Sequence, residues 1–429
     1  MRTGAGAVLL LIAMAANAEP VAIVGGTIHT MSSQGTVQQG TVIIDEGEIV
    51  AVKSGRQVPP GAKVIEADGY VITPGLFAAH TALGVVEVSA ERSTVDAMQQ
   101  SSRYRASFDI SDAYNPDSSL IPVNRVEGVT RAVIVPYPGP IDGPDAVGRV
   151  FSGAAAVVHL GDEDDFLVMR KSALVAHIGE QGAGVAGGSR AAALLYLQTA
   201  LDDAIEYGQF KDAYDTGARR RYSLSKSDLD ALQSVVAGET PVYLTANRAS
   251  DIRVAIDLAD RYGLRLVIVG GAEAWKVADR LAADNIAVLL SPLDNLPATF
   301  DRLGATLQNA RRLHEAGVQI IISDTSSHNA RNLTQLAGNA VANGLPWIEG
   351  LRAITTTPAR VLGLGDRFGS LAPGMVADIV VWDGDPLELD SYPTKVFIDG
   401  IEVSLETRQT LLRDRYRDLT PTRAPAYRH

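Results

Sequence analysis

The sequence predicts an α/β protein: a (β/α)8 TIM-like barrel carrying a small β-sandwich built from the N- and C-terminal segments. Three observations predict it. Short β patterns cluster at both ends of the chain, over 21–72 and 377–403. Between them, short apolar runs alternate with helical patterns, as in parallel strands buried on both faces. The stretch from Pro74 to Gly365 suits an eight-fold barrel, which takes roughly 250 residues.

Taken in order, the chain opens with Met1-Arg2, an apolar run through Val8-Leu9-Leu10-Leu11-Ile12, and Ala16-Asn17-Ala18. A basic start, an apolar run and a small-x-small site together make a signal peptide over 1–18. The run falls short of the ~20 apolar residues of a membrane-spanning helix. The mature protein is therefore expected to be periplasmic or secreted, with no transmembrane anchor.

Residues 21–72 read as antiparallel β. The runs 41–44 and 49–52 flank Asp45-Glu46-Gly47, and 63–66 and 70–72 flank Asp68-Gly69. Such short strands need a second layer to cover one face. The far end offers it, since 377–382 is a strand pattern and 395–398 with 401–403 flank Asp399-Gly400. Residues 19–73 and 366–410 are thus expected to form one composite sandwich, with 74–365 as the barrel and 411–429 as a tail. In the middle, the apolar runs are 131–136, 154–159, 242–245, 266–269, 287–290 and 319–322. Helical spacing at Ile252, Ala255, Ile256 and Ala259, ending at Gly263, separates two of them. Residues 89–128 are polar and loop-rich, and 161–240 read as an insertion over one barrel face.

Composition narrows the function. The net charge of −12, from 38 basic and 50 acidic residues, opposes nucleic-acid binding. The chain has no cysteine, so thiol nucleophiles, thiolate ligands and disulfides are excluded. Any metal site must draw on seven histidines, carboxylates or a modified lysine.

Two stretches resemble the amidohydrolase superfamily, closest to its imidazolonepropionase-like branch. The first is Pro74-Gly75-Leu76-Phe77-Ala78-Ala79-His80-Thr81-Ala82, where the family reads Pro-Gly-Leu-Ile-Asp-x-His-x-His. The second runs from Thr355-Thr356-Thr357-Pro358-Ala359 through Gly369-Ser370-Leu371-Ala372-Pro373-Gly374 to Ala377-Asp378. It is similar to the segment in which the family leaves its last barrel helix and re-enters the sandwich.

The resemblance implies one or two divalent metals, zinc above all, at the carboxyl mouth of the barrel. It also implies a hydrolase acting on carbon–nitrogen bonds outside peptides. The implied ligands are a His-x-His on strand 1, a carboxylated Lys or a Glu on strand 4, a His on each of strands 5 and 6, and an Asp on strand 8. Here His80 is retained, while Ala82, Thr245 and Ala272 or Glu273 stand where the other histidines would be. Asp324 takes the strand-8 place, as metal ligand and as the catalytic acid–base group. Strand 4 offers Lys171, or His177 with Glu180. His177, Glu180 and His328 are the residues a rebuilt site would recruit.

Each of these has a plainer reading. His80 would be a vestige lining the mouth, Asp324 a cap or turn residue, and His177 with Glu180 a solvated i, i+3 pair on a helix. Ser223-x-x-Lys226 matches a penicillin-recognising pattern by coincidence. Asp162 to Asp165 read as a solvated acidic loop. Two functions follow: a hydrolase with a weak or absent zinc, or a non-catalytic relative that binds a small molecule at the barrel mouth or serves a complex. Homo-oligomerisation is compatible with either.

Overall fold

The computed structural model describes residues 19–98, 104–138, 150–163, 165–324 and 329–417. The expected signal peptide 1–18 and His328 lie outside them.

Strands β1 (Val21–His29), β2 (Thr36–Asp45) and β3 (Glu48–Ser54) form an antiparallel meander. The expected turn joins the last two, with Glu46 at φ 47° and Gly47 at φ 82°, the left-handed pair of a type I′ hairpin. Strands β4 (Lys63–Glu66) and β5 (Val71–Pro74) do flank Asp68-Gly69, yet they do not pair with each other. Both lie parallel to β1, β4 along its first half and β5 along its second. The chain steps along β1 instead of turning back, so this region is mixed β and not wholly antiparallel.

The barrel strands are β6 (Leu76–Thr81), β7 (Val129–Ile134), β8 (Phe151–His159), β9 (Leu167–His177), β10 (Val242–Ala246), β11 (Leu266–Gly270), β12 (Ala287–Leu290) and β13 (Ile320–Ile322). They lie side by side in sequence order as one nearly closed sheet. One strand departs from expectation. The run 154–159 belongs to β8, which is antiparallel to both β7 and β9. Only residues 160–166 join β8 to β9, too short a link for the crossover that parallel strands require. Part of the expected insertion is therefore barrel: β9 is its fourth strand, and the helices over 190–236 follow it. Over β8 the outer layer is irregular chain. Gly153, at φ 127°, lets the Phe108 carbonyl approach closely enough to accept from the Ala154 N–H at 2.7 Å.

Period-two alternation sorts the barrel side chains. Phe77, Val133, Ala173, Val175, Tyr243, Val267, Leu289 and Ile321 point inward into one buried cluster. Their neighbours Ala132, Leu174, Leu244, Ile268 and Val288 face the helices. The helix Ala249–Tyr262 covers β10 and β11 as its apolar spacing predicts, and Gly263 at φ 65° ends it.

After the barrel, β14 (Ile379–Trp382), β15 (Pro393–Ile398) and β16 (Ile401–Glu402) return to the first sheet. β14 pairs antiparallel with β5, so both ends of the chain share one sheet of order β16-β15-β14-β5-β1-β2-β3, with β4 on β1. The sheet wraps around its own core, because the Glu48 end of β3 bridges Val376 and the Ile49 N–H donates to the Met375 carbonyl at 2.8 Å. Among the contacts that tie it to the barrel are those of Trp382 and Asp378. Trp382 packs over Gly128 and donates to Thr73, and Asp378 pairs with Arg131 on β7.

Candidate functional site

On β9 to β13 the inward positions are odd-numbered, and the last of each series reaches the carboxyl end of the barrel. Val175 and His177, Thr245, Val269, Leu289 and Ser291, and Ser323 all line a cavity of about 550 Å³ there. His80 joins them because β6 shifts register between Ala78 and Thr81. Asp324 follows one residue after Ser323, whose Oγ lies 3.3 Å from the His80 carbonyl where the two sheet edges meet. Met98, Pro136, Tyr137, Pro138, Gln181, Asn247, Gly270, Asp294 and Arg302 complete the described wall. A larger cleft of about 870 Å³ opens at the opposite end, beside Pro241, Leu266 and Ala287. Barrels of this class work at the carboxyl mouth, and His80 and Asp324 are there.

His177 is the fourth-strand residue at the mouth. It is buried, its Nε2 lies 2.6 Å from Ser152 Oγ, and its Nδ1 lies 3.1 Å from Thr245 Oγ1. A neutral imidazole donates from one nitrogen and accepts at the other, so both hydroxyls are used. Burial lowers His177 to about 4, and the neighbouring His80 adds to the effect. Burial likewise lowers His80 to about 4, and its Nδ1 is buried without a partner. Burial raises Tyr137 to about 12, with Asp324 nearby pushing the same way.

Three expectations change. His177 and Glu180 are not a solvated helical pair, because His177 is the last residue of β9 and points into the barrel. Glu180 is exposed in the short helix Gly179–Gly184, and its N–H donates to Asp301 at 2.7 Å. It is therefore not a recruit of the cavity. Lys171 sits exposed on β9 at φ 52°, remote in sequence from the strand's mouth end. The acidic loop is exposed as expected where it is described, and Asp162 also pairs with the buried Arg125.

The remaining implied positions carry no imidazole. Ala82 is packed into the outer cluster, and Ala272 is buried. Glu273 accepts from the Ala249 and Gly304 N–H groups and meets Lys276, a structural clip. Among the described residues no three His, Asp or Glu side chains converge as a ligand set would. His328 lies outside the described residues. Sequence reasoning missed Ser152, whose role depends on the reversed strand, and the Asp294–Arg302 pair at 3.0 Å, which joins a turn to a short 3-10 helix and carries no motif.

Comparison with known proteins places the chain. The amidohydrolase family profile matches residues 123–404. The amidohydrolase tasK of Hapsidospora irregularis is 24% identical over 392 residues, covering 84% of this chain and 39% of that protein. An imidazolonepropionase of Paracidovorax citrulli is 35% identical over 180 residues, 40% of this chain and 41% of that one. The matches thus span well under two thirds of both relatives' lengths. Among solved structures, an amidohydrolase from Thermotoga maritima superposes with a TM-score of 0.79 at 25% identity, over 90% of this chain and 99% of that one.

Proposed function

The chain belongs to the amidohydrolase family, with imidazolonepropionases among its relatives, and on that premise we propose that its barrel mouth binds a small molecule without holding zinc tightly. The family generally binds a divalent metal such as zinc. The observation that carries our reading is His177, the one added imidazole at the mouth among the described residues, whose two nitrogens both lie within hydrogen-bond reach of hydroxyls. A zinc hydrolase typically uses three protein ligands and keeps a water in the fourth place. His80 and Asp324 supply two, and the Thr245 hydroxyl is a poor third beside imidazole or carboxylate. These residues do not fit the metal. Without it a water keeps its pKa near about 15.7, so hydroxide is scarce near neutral pH. Asp324 acting alone as general base would contribute about 10²–10⁴-fold. Slow or absent turnover of simple amides is expected.

The other reading is hydrolysis of non-peptide carbon–nitrogen bonds at a rebuilt site. One observation favours it: His80 and His177 lie close enough to perturb each other, and Asp324 lines the same cavity. His177 would then have to release Ser152 or Thr245 to bind a metal. Metal analysis of the purified protein separates the two. We expect well below one zinc per chain. Stoichiometric zinc that disappears in His80→Ala, together with metal-dependent hydrolysis, would establish the rebuilt site.

We also propose that residues 1–18 direct export and are removed. The support is the order of basic start, apolar run and Ala16-Asn17-Ala18. N-terminal sequencing of exported protein should begin at Glu19, and an intact Met1 would refute the proposal.

A further inference from the structure

The cavity at the mouth carries a carboxylate that the described residues do not neutralise. Among the described residues, the charged groups on its wall are Asp294, Arg302 and Asp324. Arg302 is already matched, with Nη1 3.0 Å from Asp294 Oδ2. Asp324, half-buried, has no cationic partner among the described residues, although it lines the same cavity. On the same wall His80, only 7% exposed, holds Nδ1 buried and unpartnered. A buried polar atom without a partner is costly, and so is a carboxylate in a partly dry pocket. The two groups are open in the way a ligand would close them.

We infer that the mouth receives a small organic monocation, a primary ammonium or a guanidinium on a compact apolar body, with Asp324 as its counter-ion. One N–H of the cation donates to Asp324, and another to His80 Nδ1 once the ring turns that nitrogen toward the cavity. Met98, Val175, Val269 and Leu289 give the body an apolar wall. An anion would instead meet two carboxylates and an arginine already paired. An amino acid's carboxylate would have to displace Asp294 from Arg302. The inference rests on the proposal that no tightly held metal occupies the mouth, because a metal would claim both His80 and Asp324.

Three probes that share one ring and differ in charge test it: benzylamine, benzyl alcohol and benzoate. Calorimetric titration of the metal-analysed protein near neutral pH should show benzylammonium binding at least about tenfold more tightly than the other two. In Asp324→Asn that preference should vanish while the weak binding of benzyl alcohol persists. The inference is overturned if benzoate binds as well as benzylammonium, if the preference survives in Asp324→Asn, or if benzylammonium does not bind at millimolar concentration. The wild-type comparison decides by itself should the variant fail to fold. Zinc in the purified protein would sink the underlying reading, whereas a zinc-free protein without cation preference would sink this inference alone.

Discussion

Replacing Arg131 with Met should destabilise the protein by about 3–5 kcal/mol, the cost of stranding a buried charge. Arg131 and Asp378 are 3% and 5% exposed, and they join the barrel to the sheet as a two-pronged pair. Nε donates to Asp378 Oδ2 at 2.6 Å and Nη2 to Oδ1 at 2.9 Å, while Nη2 also reaches Asp399 Oδ1 at 2.6 Å. Burial alone would loosen the guanidinium's proton, but Asp378 and Asp399 outweigh it and raise the affinity. The Phe368 ring covers the cation 4.5 Å away. Removing the arginine leaves Asp378 buried beside Asp399, whose own N–H it accepts at 3.1 Å. Urea unfolding should show the loss, and the double variant Arg131→Met, Asp378→Leu should recover part of it. A change in the single variant below about 1 kcal/mol, the value of an exposed pair, would refute the account. It also gives the Ala377-Asp378 end of the family motif a physical purpose, as the clasp between sheet and barrel.

Mild acid is the second large lever. His80 and His177 are both lowered from 6.5 to about 4 by burial. As pH falls below 6.5, the unfolded chain takes up a proton at each position while the folded chain does not. The unfolded state therefore binds more protons throughout this window. Stability should be complete above 6.5 and decline as pH falls toward 4, by on the order of 3 kcal/mol per histidine. Carboxylates add their own dependence, so the informative measurement is a difference. Urea midpoints followed across that window should fall less steeply in His80→Gln, which has no proton to gain. Parallel curves for variant and wild type would show that His80 is protonated alike in both states.

The parts of the fold that were legible rest on local chemistry. Asp399-Gly400 and Glu46-Gly47 specify their turns through left-handed backbone, and Gly263 ends its helix in the same way. His80 and Asp324 were legible because each follows an apolar run into a loop. The direction of β8 was not, since a strand buried on both faces has the same apolar pattern whichever way it runs. Nor was the pairing of Lys63–Glu66 and Val71–Pro74 with β1, because Asp68-Gly69 reads as a hairpin turn although the chain goes on past it. His177 was misread for a related reason. Its i, i+3 spacing to Glu180 fits a helix face, whereas the strand runs on through His177 itself.

The reversal of β8 also bears on how the ring can assemble. Contacts within the β7–β8–β9 meander close short loops: Ser152 and His177 are 25 residues apart. The seam that completes the barrel, Ser323 against the His80 carbonyl, spans 243 residues. With loop entropy growing as the logarithm of length, the meander contact costs about 2 kcal/mol less to close than the seam. An all-parallel barrel has no such hairpin pairs within its ring, because every neighbouring pair must await a crossover. The β7–β8–β9 meander is therefore expected to form before the ring closes, since its contacts are local, and it contains the hydroxyl–imidazole contact of the mouth.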